Sequence, residues 1–262
     1  MPLPAAVLPE KTTPSPKGRI AALDVLRGYA MILVMMYHLL YDLRFFYNVP
    51  LPDILTPGKP VVEAVHICFL WVLFAVSGIC TGYSRSPVKR GAVLYIAGWL
   101  ITAVSSVFMP SQTIIFGVLS CFGACMVITD LIKPLLKKIP WQTLAIGSFI
   151  LWLCFMDIHK SGAIHLLFTD IQLPFPVSSK WLYPIGLRSA EFKSADYFPI
   201  IPYIFMFLTG YALHTPVEEG KLPDSFYGIK PGIVSFIGKH SLIFYAVHQP
   251  LFLIILEIIF WK

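Results

Sequence analysis

Apolar residues fill seven stretches of this chain on every face, not on the single stripe of an amphipathic soluble helix. The stretches run over about 21–43, 61–83, 91–109, 113–132, 141–157, 197–213 and 239–260. A helix needs ~20 apolar residues to cross the hydrocarbon of a bilayer, so each predicts a membrane span, the fifth a short one. Basic residues recur in alternate connections. Lys11, Lys17 and Arg19 precede the first stretch, Arg85, Lys89 and Arg90 follow the second, and Lys133, Lys137 and Lys138 follow the fourth. The positive-inside rule puts these connections and the N-terminus in the cytoplasm, which leaves the C-terminus outside. The expected fold is therefore all-α: a polytopic transmembrane helix bundle of about seven spans with a cytoplasmic N-terminus, integral to the plasma (inner) membrane.

Residues 1–18 are Pro-rich without an apolar period and predict a flexible tail, so the transmembrane domain is expected over 19–262. The first apolar run is too long, and carries an Arg too near its start, for a cleavable signal peptide. The polar segment 158–196 is a long outer loop, and its GAIHLLF portion reads as a re-entrant or interfacial piece.

Composition narrows the function. The chain is 57% hydrophobic and only 13% charged, about half the ~25% charge of a soluble domain. Its net charge of +6 resides in the inner connections, which argues against a nucleic-acid partner. The five cysteines lie in apolar stretches and behave as small hydrophobes, without a disulfide framework. Cys121 and Cys125 share a helix face, but no nearby His or carboxylate completes a ligand set, so no metal is expected. Phosphate-binding loops, nucleophile elbows and HExxH are absent from the sequence, so any nucleotide-bearing co-substrate must bind among helices and basic loops.

One stretch concentrates the chemistry. Asp24–Asp42 is apolar enough to cross a bilayer, yet it carries Asp24, Arg27, His38 and Asp42. At about 100° per residue, Arg27 and His38 fall within about 20° of each other, and Asp24 and Asp42 share nearly one meridian. Arg27 then sits roughly 16 Å below His38 along the axis. Ionisable groups in hydrocarbon face a bundle interior and mark a functional path. A carboxylate one turn from an imidazole can hold its tautomer, so Asp42 is a candidate to orient His38 as a general base. Asp24 is placed to pair with Arg27. The plain alternatives are a helix-capping pair at the water boundary and a snorkelling arginine.

Other spans add polar groups. Glu63 and His66 stand together at the outer start of the second span, and Asp196 precedes the sixth. Ser241, Tyr245 and His248 share a face of the last span, with Gln249 beside them. His240 near the inner boundary is a candidate for phosphate or lipid headgroups. His159, His165 and His214 read as loop or boundary residues, and Ser77, Gly78, Thr81 and Gly82 as small residues for close helix packing.

The run from Arg19 to His38 resembles the opening of the heparan-α-glucosaminide N-acetyltransferase catalytic-domain family, within the broader transmembrane acyltransferase group. Ala195-Asp196-Tyr197-Phe198-Pro199 with the following IIPYIFMFLTG is similar to its bacterial branch, as is Gly238-Lys239-His240-Ser241-Leu242 running on to Tyr245 and His248-Gln249-Pro250. The resemblance implies acyl transfer across the membrane, from cytoplasmic acetyl-CoA or another acyl-CoA to a hydroxyl or amine of a glycan or sugar outside. It implies a catalytic histidine after the first-span Arg-Gly element, which falls on His38. In lysosomal animal members that histidine lies farther on, in the first lumenal loop. No histidine occurs here between His38 and His66, so these two compete for the role.

On this reading His38 is the base or acyl carrier and Asp42 orients it. Arg27, with Asp24 and His240, serves the acyl-CoA end, while Glu63, Asp196, Tyr245, His248 and Gln249 serve the acceptor. The rival reading is a proton-coupled transporter or flippase that uses the same stripe as a relay. A third is an accessory subunit without chemistry. The small-residue face of Gly117, Ser120, Gly123 and Ala124 suits packing within the chain or between copies, which leaves a homo-oligomer open.

Overall fold

The computed structural model describes residues 19–260, and the tail expected over 1–18 lies outside the described residues. In chain order the elements are α1 (Ala21–Phe45), α2 (Pro60–Gly82), α3 (Pro87–Phe108), α4 (Val118–Leu136), α5 (Trp141–Phe155), α6 (Ile158–Ser161), β1 (Ala163–His165), β2 (Asp170–Gln172), α7 (Ile200–Glu218), α8 (Asp224–Tyr227), α9 (Ile233–Lys239) and α10 (Ser241–Phe260). Among the described residues seven helices are long and apolar enough to cross a membrane: α1, α2, α3, α4, α5 with its continuation α6, α7 and α10. Pro60 and Pro87 open α2 and α3, where the missing N–H has no intrahelical partner to lose.

The helices associate in close pairs. α1 lies along α9, α2 along α7, and α3 along α4. Each pair meets through glycine, because a side chain there would collide with backbone. A Cβ on Gly238 would lie 1.8 Å from the Asp24 carbonyl oxygen, and one on Gly210 would lie 2.0 Å from that of Ala75. Gly91 and Gly123 approach each other in the same way. Such small-residue contacts are how helices gain dispersion energy in a medium as apolar as their side chains. Phe74 and Phe207 are fully buried at the centre, and Phe74 stacks between Phe122 and Tyr203. Large apolar residues such as Ile96, Ile150 and Ile254 point outward, toward where hydrocarbon would be.

Four expectations change. The fourth span starts at Val118 and not near 113, because Thr113–Phe116 spends its backbone groups on a distant segment: Ala195 donates to the Thr113 carbonyl and Phe198 to that of Phe116. The GAIHLLF portion, expected as a re-entrant or interfacial piece, is extended. It forms β1 and the turn of a hairpin, in which Ile164 stands opposite Ile171. The sixth span runs on to Glu218, with Pro216 inside its last turn. The seventh begins at Ser241 because the chain breaks helix at His240 (φ −107°, ψ 22°), and the residues before it form α9.

Candidate active site

α1, α2, α3, α4 and α10 surround a cavity of about 600 Å³. Its lining includes Arg27, Lys89 and Arg90 at the end that the basic loops mark as cytoplasmic, and His38, His66 and Asp196 at the opposite end. Leucine, methionine and phenylalanine side chains form most of the wall between.

At the basic end Asp24 is buried and its carboxylate is shared. Arg19 Nη2 donates to Oδ1 at 2.8 Å, and Arg27 Nη1 stands 3.8 Å from the same oxygen. Arg27 Nη2 donates to Cys80 Sγ at 3.0 Å. Arg19 thus takes most of the Asp24 charge, which leaves Arg27 with positive charge to offer the cavity. His240 lies outside the cavity lining, at the α9–α10 junction with its ring 4.6 Å from that of Phe236.

At the outer end the Tyr37 ring lies on His66 with centroids 4.2 Å apart. Its hydroxyl donates to Glu63 Oε1 at 3.3 Å, and Glu63 Oε2 is 3.6 Å from His66 Nδ1. His38 packs against His248, with ring centroids 5.1 Å apart. Tyr245 donates to Asp196 Oδ2 at 3.3 Å. Burial pushes the Asp196 carboxyl up to about 6, against the opposing pull of His66, Tyr245 and His248.

Asp196 is held by an outer strap. Ser194 Oγ accepts from the Ile115 N–H at 2.8 Å and donates to the Ile115 carbonyl. With the two backbone bonds at Thr113 and Phe116, this pins the segment before α7 to the segment before α4. Phe116 has φ +55°, a conformation that costs a bulky residue about 1–3 kcal/mol and persists only where surrounding contacts enforce it.

The structure brings Arg27, His38, His66, Asp196 and Tyr245 onto one cavity and sets Glu63 and His248 directly behind it. It does not bring Asp42 or Gln249 there. Both Asp42 oxygens accept from the Gln249 amide at 3.0 Å, and the Asp42 side chain is fully buried. No hydrogen bond joins Asp42 to His38 among the described residues. Asp42 and Gln249 instead couple α1 to α10. Tyr37, Lys89 and Arg90 are cavity residues that the sequence reading passed over. In the sequence the two cations mark topology, and nothing in the local pattern singles out Tyr37.

No curated protein and no solved structure matches the chain. The model of the heparan-alpha-glucosaminide N-acetyltransferase catalytic family matches residues 19–250, a stretch that contains every cavity residue named above. The chain therefore belongs to the heparan-alpha-glucosaminide N-acetyltransferase catalytic family.

Proposed function

We propose that this protein is a membrane acetyltransferase that carries an acetyl group from a cytoplasmic acyl-CoA to a hydroxyl or amine of an extracytoplasmic sugar. The observation that carries this reading is the polarity of the cavity between α1, α2, α3, α4 and α10, cationic at one end and histidine-bearing at the other. Arg27, Lys89 and Arg90 suit the phosphates of a nucleotide thioester, since guanidinium and ammonium groups are the usual partners of phosphate. The apolar wall suits the uncharged arm that carries the thioester toward His38.

The reaction forms a bond from the acceptor oxygen or nitrogen to the acetyl carbonyl carbon and breaks the carbon–sulfur bond. The acceptor proton goes to a base, and the thiolate leaves and is protonated. His38 lines the cavity with no side-chain hydrogen bond among the described residues and is the first candidate for that base. His66 is the second, because Glu63 stands at its Nδ1 and can hold the tautomer in which Nε2 accepts a proton. Asp196 and Tyr245 would bond the sugar hydroxyls. Family membership supports acetyl transfer, and the position of the histidines supports the outward direction.

The test is calorimetric titration of the full-length protein with acetyl-CoA, followed by transfer of labelled acetyl to a panel of sugars. Micromolar binding that is lost in Arg27→Ala and kept in His38→Ala is the expected result. Transfer should fall about 10²–10⁴-fold in the variant that removes the base, and comparing His38→Ala with His66→Ala identifies it. A folded wild-type protein that binds no acetyl-CoA would overturn the reading and direct work to proton-coupled transport.

A further inference from the structure

A second cavity, of about 460 Å³, opens at the basic end between α2, α4, α5 and α7 and shares no lining residue with the first. Lys133 and Lys137 stand in its wall with Trp141, Tyr211 and His214. Among the described residues Lys133 has one long ion pair, with Asp130 at 3.9 Å, and Lys137 has none. The acid in the wall, Glu218, lies 3.2 Å from His214 Nε2. His214 Nδ1 is buried with no hydrogen-bond partner, and no hydrogen bond leaves the Tyr211 hydroxyl among the described residues. With its Nε2–H toward Glu218, His214 leaves only a lone pair on Nδ1 and takes no part in binding an anion. The two lysines and the Tyr211 hydroxyl are donors that suit a phosphate group.

The surroundings decide which phosphate. Beside the cavity α4 turns Leu131 and Leu135 outward, 69% and 63% exposed, and Ile139 follows at the rim. Those residues lie on the lipid side of a spanning helix, at the depth where a tryptophan such as Trp141 marks the interface. A free anion would use only the polar wall. A phospholipid would use both, with its headgroup in the cavity and its chains along α4. We propose that this cavity holds the phosphate-bearing headgroup of an anionic phospholipid of the cytoplasmic leaflet. Basic recesses between spanning helices on that side are suited to such headgroups.

The full-length protein would be placed in nanodiscs of phosphatidylcholine and phosphatidylglycerol, and the lipid it retains would be counted by native mass spectrometry. Wild type should retain phosphatidylglycerol over phosphatidylcholine. Lys133→Gln/Lys137→Gln should lower that retention roughly thirty-fold, and Lys137→Gln alone, at an exposed and fold-neutral position, about fivefold. Lys138→Gln, a neighbouring cation outside the cavity wall, should leave it unchanged. Equal retention of the two lipids, or retention untouched by Lys137→Gln, would overturn the proposal. So would loading of the site by inorganic phosphate in a protein that keeps no phosphatidylglycerol.

Discussion

The imidazoles of His38 and His248 meet across the α1–α10 contact, with ring centroids 5.1 Å apart and planes inclined at 54°. His248 Nδ1 faces the Tyr245 carbonyl at 2.8 Å, and a carbonyl only accepts, so the proton is on Nδ1. The lone pair is then on Nε2, which is buried and has no hydrogen-bond partner among the described residues. An imidazole fixed in that tautomer is placed to hold a proton or a water against His38.

His248→Phe keeps the ring volume and removes the lone pair. Acetyl transfer should fall about tenfold, the worth of one hydrogen bond, with acetyl-CoA binding unchanged by calorimetry. A rate equal to wild type would reduce His248 to packing.

On the proposed function, Asp196 would give the reaction an acidic limb. Its carboxyl is pushed up to about 6 by burial, so in the proposed role it would become a stronger, charged acceptor for sugar hydroxyls as pH rises through that value. Transfer should rise across pH 6 in wild type, and this limb should vanish in Asp196→Asn. The effect on stability has the opposite sense. A carboxyl whose folded pKa exceeds its unfolded 3.8 adds stability below the unfolded value and loses it as pH climbs through the folded one. Relative to Asp196→Asn, thermal unfolding of wild type should therefore shift downward between pH 4 and pH 7. Parallel unfolding curves at both pH values would contradict the assignment.

Gln249 is the donor to a fully buried carboxylate. Gln249→Leu leaves Asp42 without that donor and should cost about 1–3 kcal/mol, read as a lower unfolding temperature in detergent. Replacing both members by leucine should recover most of the loss, since an apolar pair leaves no group unsatisfied. A double variant less stable than Gln249→Leu would show that Asp42 has another task.

At the α1–α9 crossing, Gly238→Ala would put a methyl 1.8 Å from the Asp24 carbonyl oxygen. Overpacking of this kind costs about 1–3 kcal/mol, and the unfolding temperature should drop accordingly. Gly147→Ala meets nothing within 4 Å and should leave it unchanged.

The spans were legible in sequence because helix period and bilayer thickness are local rules, and the alignment of Arg27 with His38 followed from the same period. The residues that complete the cavity were not. The strap joins Ile115 to Ser194 across 79 positions, and no local pattern announces such a pairing. The partner of Asp42 lies 207 positions away on α10. A carboxylate one turn from an imidazole looks like its orienter until the tertiary neighbour is known. Lys89 and Arg90 were visible as charges, but which inner-loop cation turns into a cavity is decided by how α3 rotates against α4.

The glycine crossings have a mechanical consequence. Within each of the pairs α1/α9, α2/α7 and α3/α4 the backbones touch, so neither partner can slide or tilt alone without steric collision. The bundle therefore contains three stiff two-helix blades, with α5 packed on α7 and α10 on α1. The cavity lies between blades, with Arg27 and His38 on one, His66 on the second, and Lys89 and Arg90 on the third. A shear of one blade past another would widen the cavity, and that motion would change the spacing between the cationic mouth and the histidines while each blade keeps its own geometry.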